Sequence, residues 1–175
     1  MKIFIGCSSY DDLNDIYYKE AKNISNVLVN KDFSLVFGGC AHGIMGTVYD
    51  VFKTNNKEIF AIQTEHYKEE LNNIDCNKEV KSSTLEQLER FMELSDIIMF
   101  LPGGYGTYNE IFYMISEYVN ETHHNKIIVM NINHYFDELK LILNKIKEEK
   151  FASLFDFVKI VENSNDLDSL LEEIC

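Results

Sequence analysis

Proline is nearly missing from this chain: one residue in 175, at position 102. No proline-, glycine- or serine-rich tract interrupts the sequence, and no internal repeat or low-complexity segment stands out, so residues 1–175 read as one domain with a single core. Long apolar runs are missing too. None approaches the roughly 20 residues that a membrane helix needs, which excludes a membrane protein of that kind. The N-terminus, "MKIFIGCSSY", turns polar too early for a secretory signal, and the chain reads as cytoplasmic. Paired cysteines are absent. Cys7, Cys40, Cys76 and Cys175 are scattered with no C-x-x-C spacing, which excludes the usual zinc and redox motifs and leaves reduced, mostly buried thiols as the expectation. No metal-ligand spacing is seen, and no metal is expected. Cations are scarce: 16 Lys and Arg stand against 29 Asp and Glu, a formal net charge of −13. Such a surface repels polyanions, so nucleic acid is not an expected partner. Any phosphate site has to be local, built from backbone N–H groups against an unfavourable overall field.

What is present is an alternation of short apolar runs and helical periodicity. With 46% hydrophobic residues the chain is globular. Strand-like runs occur at 2–7, 33–37, 58–63, 96–101, 126–131 and 157–161. Helical spacing occurs at about 14–31, 44–53, 83–94, 107–121, 135–149 and from about 166 onward. Continuous apolar strands of about five residues between helices predict a parallel sheet covered on both faces. The expected fold class is α/β, a Rossmann-like three-layer sandwich.

Seven of the eight glycines fall in two of the strand-to-helix turns that follow these runs. "FGGCAHGIMG" follows strand 33–37, with Gly39 and Gly43 as candidate ligand contacts. "PGGYGT" follows strand 96–101, with Gly103, Gly104, Gly106 and Thr107. Ligands of open parallel sheets bind outside the carboxyl ends of the strands, where helix N-termini offer unpaired N–H groups and a partial positive charge. The dinucleotide fingerprint is missing from the first turn, "GCSSYDDLND", which holds one glycine. Neither cluster carries the lysine of a P-loop. What remains suits a single phosphate. Glu110 lies three residues after Thr107, and "TYNE" matches a capping box, so this carboxylate is either a cap or a group aimed at the ligand. Beside an anion, a carboxylate serves to bind sugar hydroxyls, to orient water or to stabilise a cationic transition state.

These motifs resemble those of the Lonely Guy family, often labelled as lysine decarboxylases. "LPGGYGTYNEIF" is similar to the family's P-G-G-x-G-T-x-x-E signature, "FGGCAHGIMG" to its G-G-G-x-x-G-L-M-G segment, and "IFIGCSS" to its first strand and Ser-rich turn, which brings in Ser8. "HNKIIVMNINHYFDEL", residues 124–139, resembles the segment after the family's catalytic helix, so the likeness runs from about residue 3 to 151. The resemblance implies a Rossmann-like homodimer without a cofactor. It also implies a phosphoribohydrolase that splits nucleoside 5′-monophosphates, cytokinin nucleotides or AMP, into base and ribose 5-phosphate. The P-G-G-x-G-T turn would hold the phosphate and Glu110 would work at the ribose. Pyridoxal chemistry needs a Schiff-base lysine, and neither glycine cluster supplies one. The chain departs from the pattern where the family carries Arg-Lys: the matching positions are Gln87 and Leu88, with Arg90 one turn further along the same face. Arg90 is the expected substitute guanidinium and Gln87 a substrate contact, although "TLEQ" gives Gln87 a reading as a capping-box residue. Cys40 replaces a family glycine. His42 is a further loop candidate, and Tyr105, Tyr108, Tyr113 and Tyr118 are candidates for stacking on a base. The same fold without turnover, as a nucleotide sensor, is the alternative that the lost arginine raises.

Overall fold

The computed structural model describes residues 1–152 and 157–174, so the expectation for Cys175 lies outside the described residues. Seven strands form one parallel sheet: β1 (Lys2–Gly6), β2 (Ser34–Phe37), β3 (Ile59–Thr64), β4 (Asn77–Lys81), β5 (Ile97–Phe100), β6 (Lys126–Met130) and β7 (Val158–Val161). Their order is β4-β3-β2-β1-β5-β6-β7. The helices are α1 (Asp15–Asn30), α2 (Gly43–Thr54), α3 (Thr84–Leu94), α4 (Tyr105–Val119), α5 (Asp137–Glu148) and α6 (Ser164–Ile174), with a 3₁₀ segment at Glu65–Asn73 and another at Ile132–His134. The chain walks outward from β1 to β4, then α3 carries it back across the sheet to β5 on the other side of β1. Strand direction is constant while strand order reverses, which opens a crevice at the carboxyl ends near β1.

Alternation along each strand sorts the core into two layers. Ile3 and Ile5 of β1 face α1, α2 and α6; Phe4 faces α3, α4 and α5. Phe4 stacks on Phe91 of α3 at 4.2 Å between centroids and meets Phe100 edge-on at 6.0 Å. Truncating Phe91 to Ala in that layer costs about 3–5 kcal/mol. The Rossmann-like three-layer sandwich read from the sequence is the observed fold.

One strand is absent from the sequence reading. β4 has the sequence NKEVK and is largely solvent-facing at the sheet edge, so it lacks the apolar run that marked the other strands. Its polar side chains suit an edge that must not recruit another strand.

Candidate active site

The carboxyl ends of β1, β2, β3 and β5 surround a crevice of about 460 Å³, lined from the β1–α1 turn, the β2–α2 turn, the first 3₁₀ segment, α3 and the start of α4. Among the described residues, no lysine or arginine lines it. Of the candidate residues, Ser8, Gln87, Gly104, Gly106, Thr107 and Glu110 meet in it; Cys40 and Tyr105 line it as well.

The β5–α4 turn supplies the half of the crevice with an uncapped helix start. Helix α4 begins at Tyr105 behind an N-cap, Gly104, that has no side chain to accept from the first turn. Among the described residues, the amides of Tyr105, Gly106 and Thr107 therefore have no acceptor, and they point outward with the positive end of the helix dipole. A side chain on Gly104 or Gly106 would meet nothing within 4 Å, so internal packing does not require glycine at either position. Neither has a positive φ, and their bareness leaves the backbone open to approach from the crevice. Gly103 differs: a Cβ there would collide with Thr107, whose own side chain is buried against the turn. The turn is pinned at both ends. Tyr135 donates its hydroxyl to the Gly103 carbonyl at 2.6 Å, and the Ser8 amide donates to the Pro102 carbonyl at 3.1 Å.

Thr107 and Glu110 form no capping box, because the helix starts two residues before Thr107 and both lie inside it. Glu110 is instead half-buried at the floor of the crevice, over the end of β1. Room for it comes from Gly6: a Cβ on Gly6 would stand 2.6 Å from the Glu110 carboxylate oxygen and 2.8 Å from the Phe100 ring. Desolvation by the surrounding protein pushes the Glu110 carboxyl up to about 8. At neutral pH it is largely uncharged in the ligand-free protein.

The β2–α2 turn corrects an expectation. Its helix start is already occupied: the Gly43 amide donates to the Asp11 carboxylate at 2.9 Å, the Met45 amide to the Ser8 carbonyl at 3.0 Å and the Gly46 amide to the His42 carbonyl at 2.8 Å. Gly43 and Gly39 do not line the crevice. Both have positive φ, +61° and +79°, and a Cβ on Gly43 would meet the Tyr10 backbone at 2.5 Å. Their positive φ and close packing make them glycines that the chain path requires. His42 lies outside the crevice as well, with its ring 3.3 Å from Asp11.

Helix α3 brings a second correction. Arg90 donates through Nε and Nη2 to the two carboxylate oxygens of Glu79 on β4, each at 2.9 Å, and through Nη1 to Glu93 at 3.1 Å. It is fixed to the sheet edge and does not line the crevice. The guanidinium holds the Glu79 carboxyl down at about 2. The α3 cap is one residue earlier than expected: Ser83 accepts from the Glu86 amide at 3.2 Å and Glu86 accepts from the Ser82 amide at 3.0 Å. This frees Gln87 from a capping role and turns it to the crevice.

Several lining residues carried no signal in the sequence. Gln63 lies one residue before the end of β3, Glu70 and Tyr67 come from the first 3₁₀ segment, and Cys7 from the β1–α1 turn. Burial, with Glu110 nearby, pushes the Cys7 thiol well up, and burial raises Cys40, whose thiol lies 3.7 Å from the Glu70 carboxylate. Both sulfurs are protonated and poor nucleophiles. Of the candidate tyrosines, Tyr105 is almost fully exposed at the crevice rim, while Tyr108 and Tyr113 pack against the α3–α4–α5 core layer and Tyr118 stacks on Phe157.

With this geometry in view, the relatives are informative. A family model described as "Possible lysine decarboxylase" matches residues 45–174, which include the whole α4 corner. The chain belongs to that family. A cytokinin riboside 5′-monophosphate phosphoribohydrolase of Arabidopsis thaliana is 26% identical over 176 residues, covering 98% of this chain and 83% of the relative. A second, described as a probable enzyme of the same kind from Oryza sativa subsp. japonica, is 26% identical over 98% of this chain and 72% of its own length. Two solved structures share the fold: a molybdenum cofactor binding protein of Rippkaea orientalis (TM-score 0.72, 15% identity, 99% of this chain and 94% of that one) and the molybdenum cofactor carrier protein of Chlamydomonas reinhardtii (0.73, 11%, 98% and 96%). For this member of the possible lysine decarboxylase family the description and the crevice diverge. No lysine lines it, so the residues present do not fit pyridoxal phosphate.

Proposed function

We propose that this chain hydrolyses the N-glycosidic bond of a nucleoside 5′-monophosphate of the AMP or cytokinin type, releasing the free base and ribose 5-phosphate. The observation that carries the reading is the pairing of one open amide corner, Gly104 to Thr107, with the half-buried carboxyl of Glu110 in the same crevice. The phosphate takes the amides of the first α4 turn and the Thr107 hydroxyl, with Ser8 alongside. Anchored there, the ribose lies over the end of β1, and its anomeric carbon faces Glu110. Departure of the base leaves positive charge on that carbon. Ionised Glu110 stabilises it and orients the water whose oxygen bonds to the carbon, while the bond electrons leave with the base and a proton from water replaces the lost bond. The curated relatives named as phosphoribohydrolases support the reaction class.

The test is chromatography of AMP and other monophosphates incubated with purified protein. Free base is expected, and Glu110→Gln is expected to lower its release roughly 10²–10⁴-fold while nucleotide binding is kept. Normal turnover by the variant removes the role given to Glu110. A second reading, nucleotide binding without turnover, is favoured by the cation-free crevice; saturable AMP binding with no base after prolonged incubation decides for it. We also propose a homodimer: Phe112 and Val119 of α4 remain exposed, 39% and 43%, as a second copy would require. Light scattering at twice the 20.4 kDa chain mass is the expected result.

A further inference from the structure

The position that carries arginine in the family motif holds Gln87, and the hydrogen bonds around it dictate what it presents to a ligand. The Thr64 amide donates to Gln63 Oε1 at 2.8 Å, so the other end of that side chain is the donor; it reaches the Gly38 carbonyl at 2.8 Å. Two backbone groups thus fix the Gln63 orientation. Gln87 Nε2 in turn donates to the Ile62 carbonyl at 2.7 Å and to Gln63 Oε1 at 3.4 Å. Both partners are acceptors, so both hydrogens of the Gln87 amide are spent. What Gln87 has left for the crevice is Oε1, an acceptor. A phosphate oxygen gains nothing there; an N–H or O–H donor does.

The sheet register locates this acceptor. Phe4 pairs with Val36 and Val36 with Phe60, so Gly6, Gly38 and Ile62 stand level at the carboxyl edge. Two strand spacings, roughly 10 Å, separate Gly6, under Glu110, from Ile62, under Gln87. A ribose whose anomeric carbon faces Glu110 does not extend that far; its base does. We propose that Gln87 Oε1 is a base-reading group that accepts a hydrogen bond from an exocyclic amino group on the base, making Gln87 a specificity-determining residue in place of a phosphate-binding cation. The assignment rests on the nucleotide reading above.

Titration calorimetry tests it, in the Glu110→Gln background so that no nucleotide is consumed. AMP is compared with purine riboside 5′-monophosphate, which lacks only the 6-amino group, with 2′-deoxy-AMP and with ribose 5-phosphate. The expected result is a preference of about tenfold for AMP over the purine riboside monophosphate. Gln87→Met is expected to abolish it without changing ribose 5-phosphate affinity. The comparison among ligands needs no Gln87 variant, so it stands even if Gln87→Met folds poorly. Equal binding of AMP and purine riboside 5′-monophosphate overturns the proposal, as does a loss that follows the 2′-hydroxyl instead of the amino group. Binding of ribose 5-phosphate with no base preference defeats the Gln87 role alone; no binding of any of the four defeats the nucleotide reading too.

Discussion

Glu110 and Gly6 act as a unit. A carboxyl lifted to about 8 by desolvation is mostly ionised only above that pH. If ionised Glu110 stabilises the cationic sugar, kcat/KM for base release rises with pH and levels off above about 8. A rate that falls through the same range makes the protonated acid the active form instead. Stability runs the other way. The folded protein holds the Glu110 proton between the ordinary value of 4.5 and about 8, where the unfolded chain has lost it, so this residue makes the fold progressively less stable across that window. Glu110→Gln is therefore expected to melt higher than the parent, by a margin that grows from pH 5 to 8. Gly6→Ala should displace the carboxylate and the Phe100 ring together, cutting base release at least as far as Glu110→Gln does and lowering stability by about 1–3 kcal/mol. Glu110 was legible from its place in the "PGGYGTYNE" motif. Gly6 was not, because a lone glycine at a strand end looks like any strand terminus until the side chain above it is known.

At the scale of elements, two helix starts that look alike in sequence do different things. The α4 start is open, while the α2 start is stoppered by Asp11. Asp11→Ala removes that cap and should cost about 1 kcal/mol in denaturant unfolding, with AMP affinity unchanged. Nothing in the residue order of the β1–α1 turn tells which of its polar side chains reaches across to α2, since that contact spans 32 positions. The strands with apolar runs were readable, as was the alternation that makes the fold doubly wound. β4 was not, because its NKEVK sequence holds a single apolar residue, Val80, and that one faces solvent. That strand also captures Arg90. Its two-pronged ion pair with Glu79 ties α3 to the sheet edge, so Arg90→Met should leave base release nearly unchanged and lower stability by about 1 kcal/mol at pH 7. With Glu79 held at about 2, this contribution is complete above about pH 4.5 and fades as pH falls toward 2. Melting curves between pH 7 and 3 follow it.

Over the whole molecule, a net charge of −13 surrounds a crevice with no lining cation. A phosphate monoester approaching it meets a repulsive field that salt screens. AMP affinity should therefore tighten as ionic strength rises from 10 to 150 mM, the reverse of a site built on Lys and Arg; weakening instead would reveal a cation at the phosphate. The sequence reading expected a phosphate site of this local, backbone-built kind from charge alone and placed it at two corners; the structure leaves one of the two helix starts open.

That single open corner is the claim on which the functional reading depends, and backbone amide NMR of the Glu110→Gln chain during AMP titration addresses it most directly. Large saturable shifts at Gly104, Tyr105, Gly106 and Thr107, with Gly43 and Gly46 unmoved, are predicted. Shifts centred on the α2 turn, or none at the α4 turn at saturating AMP, would contradict it.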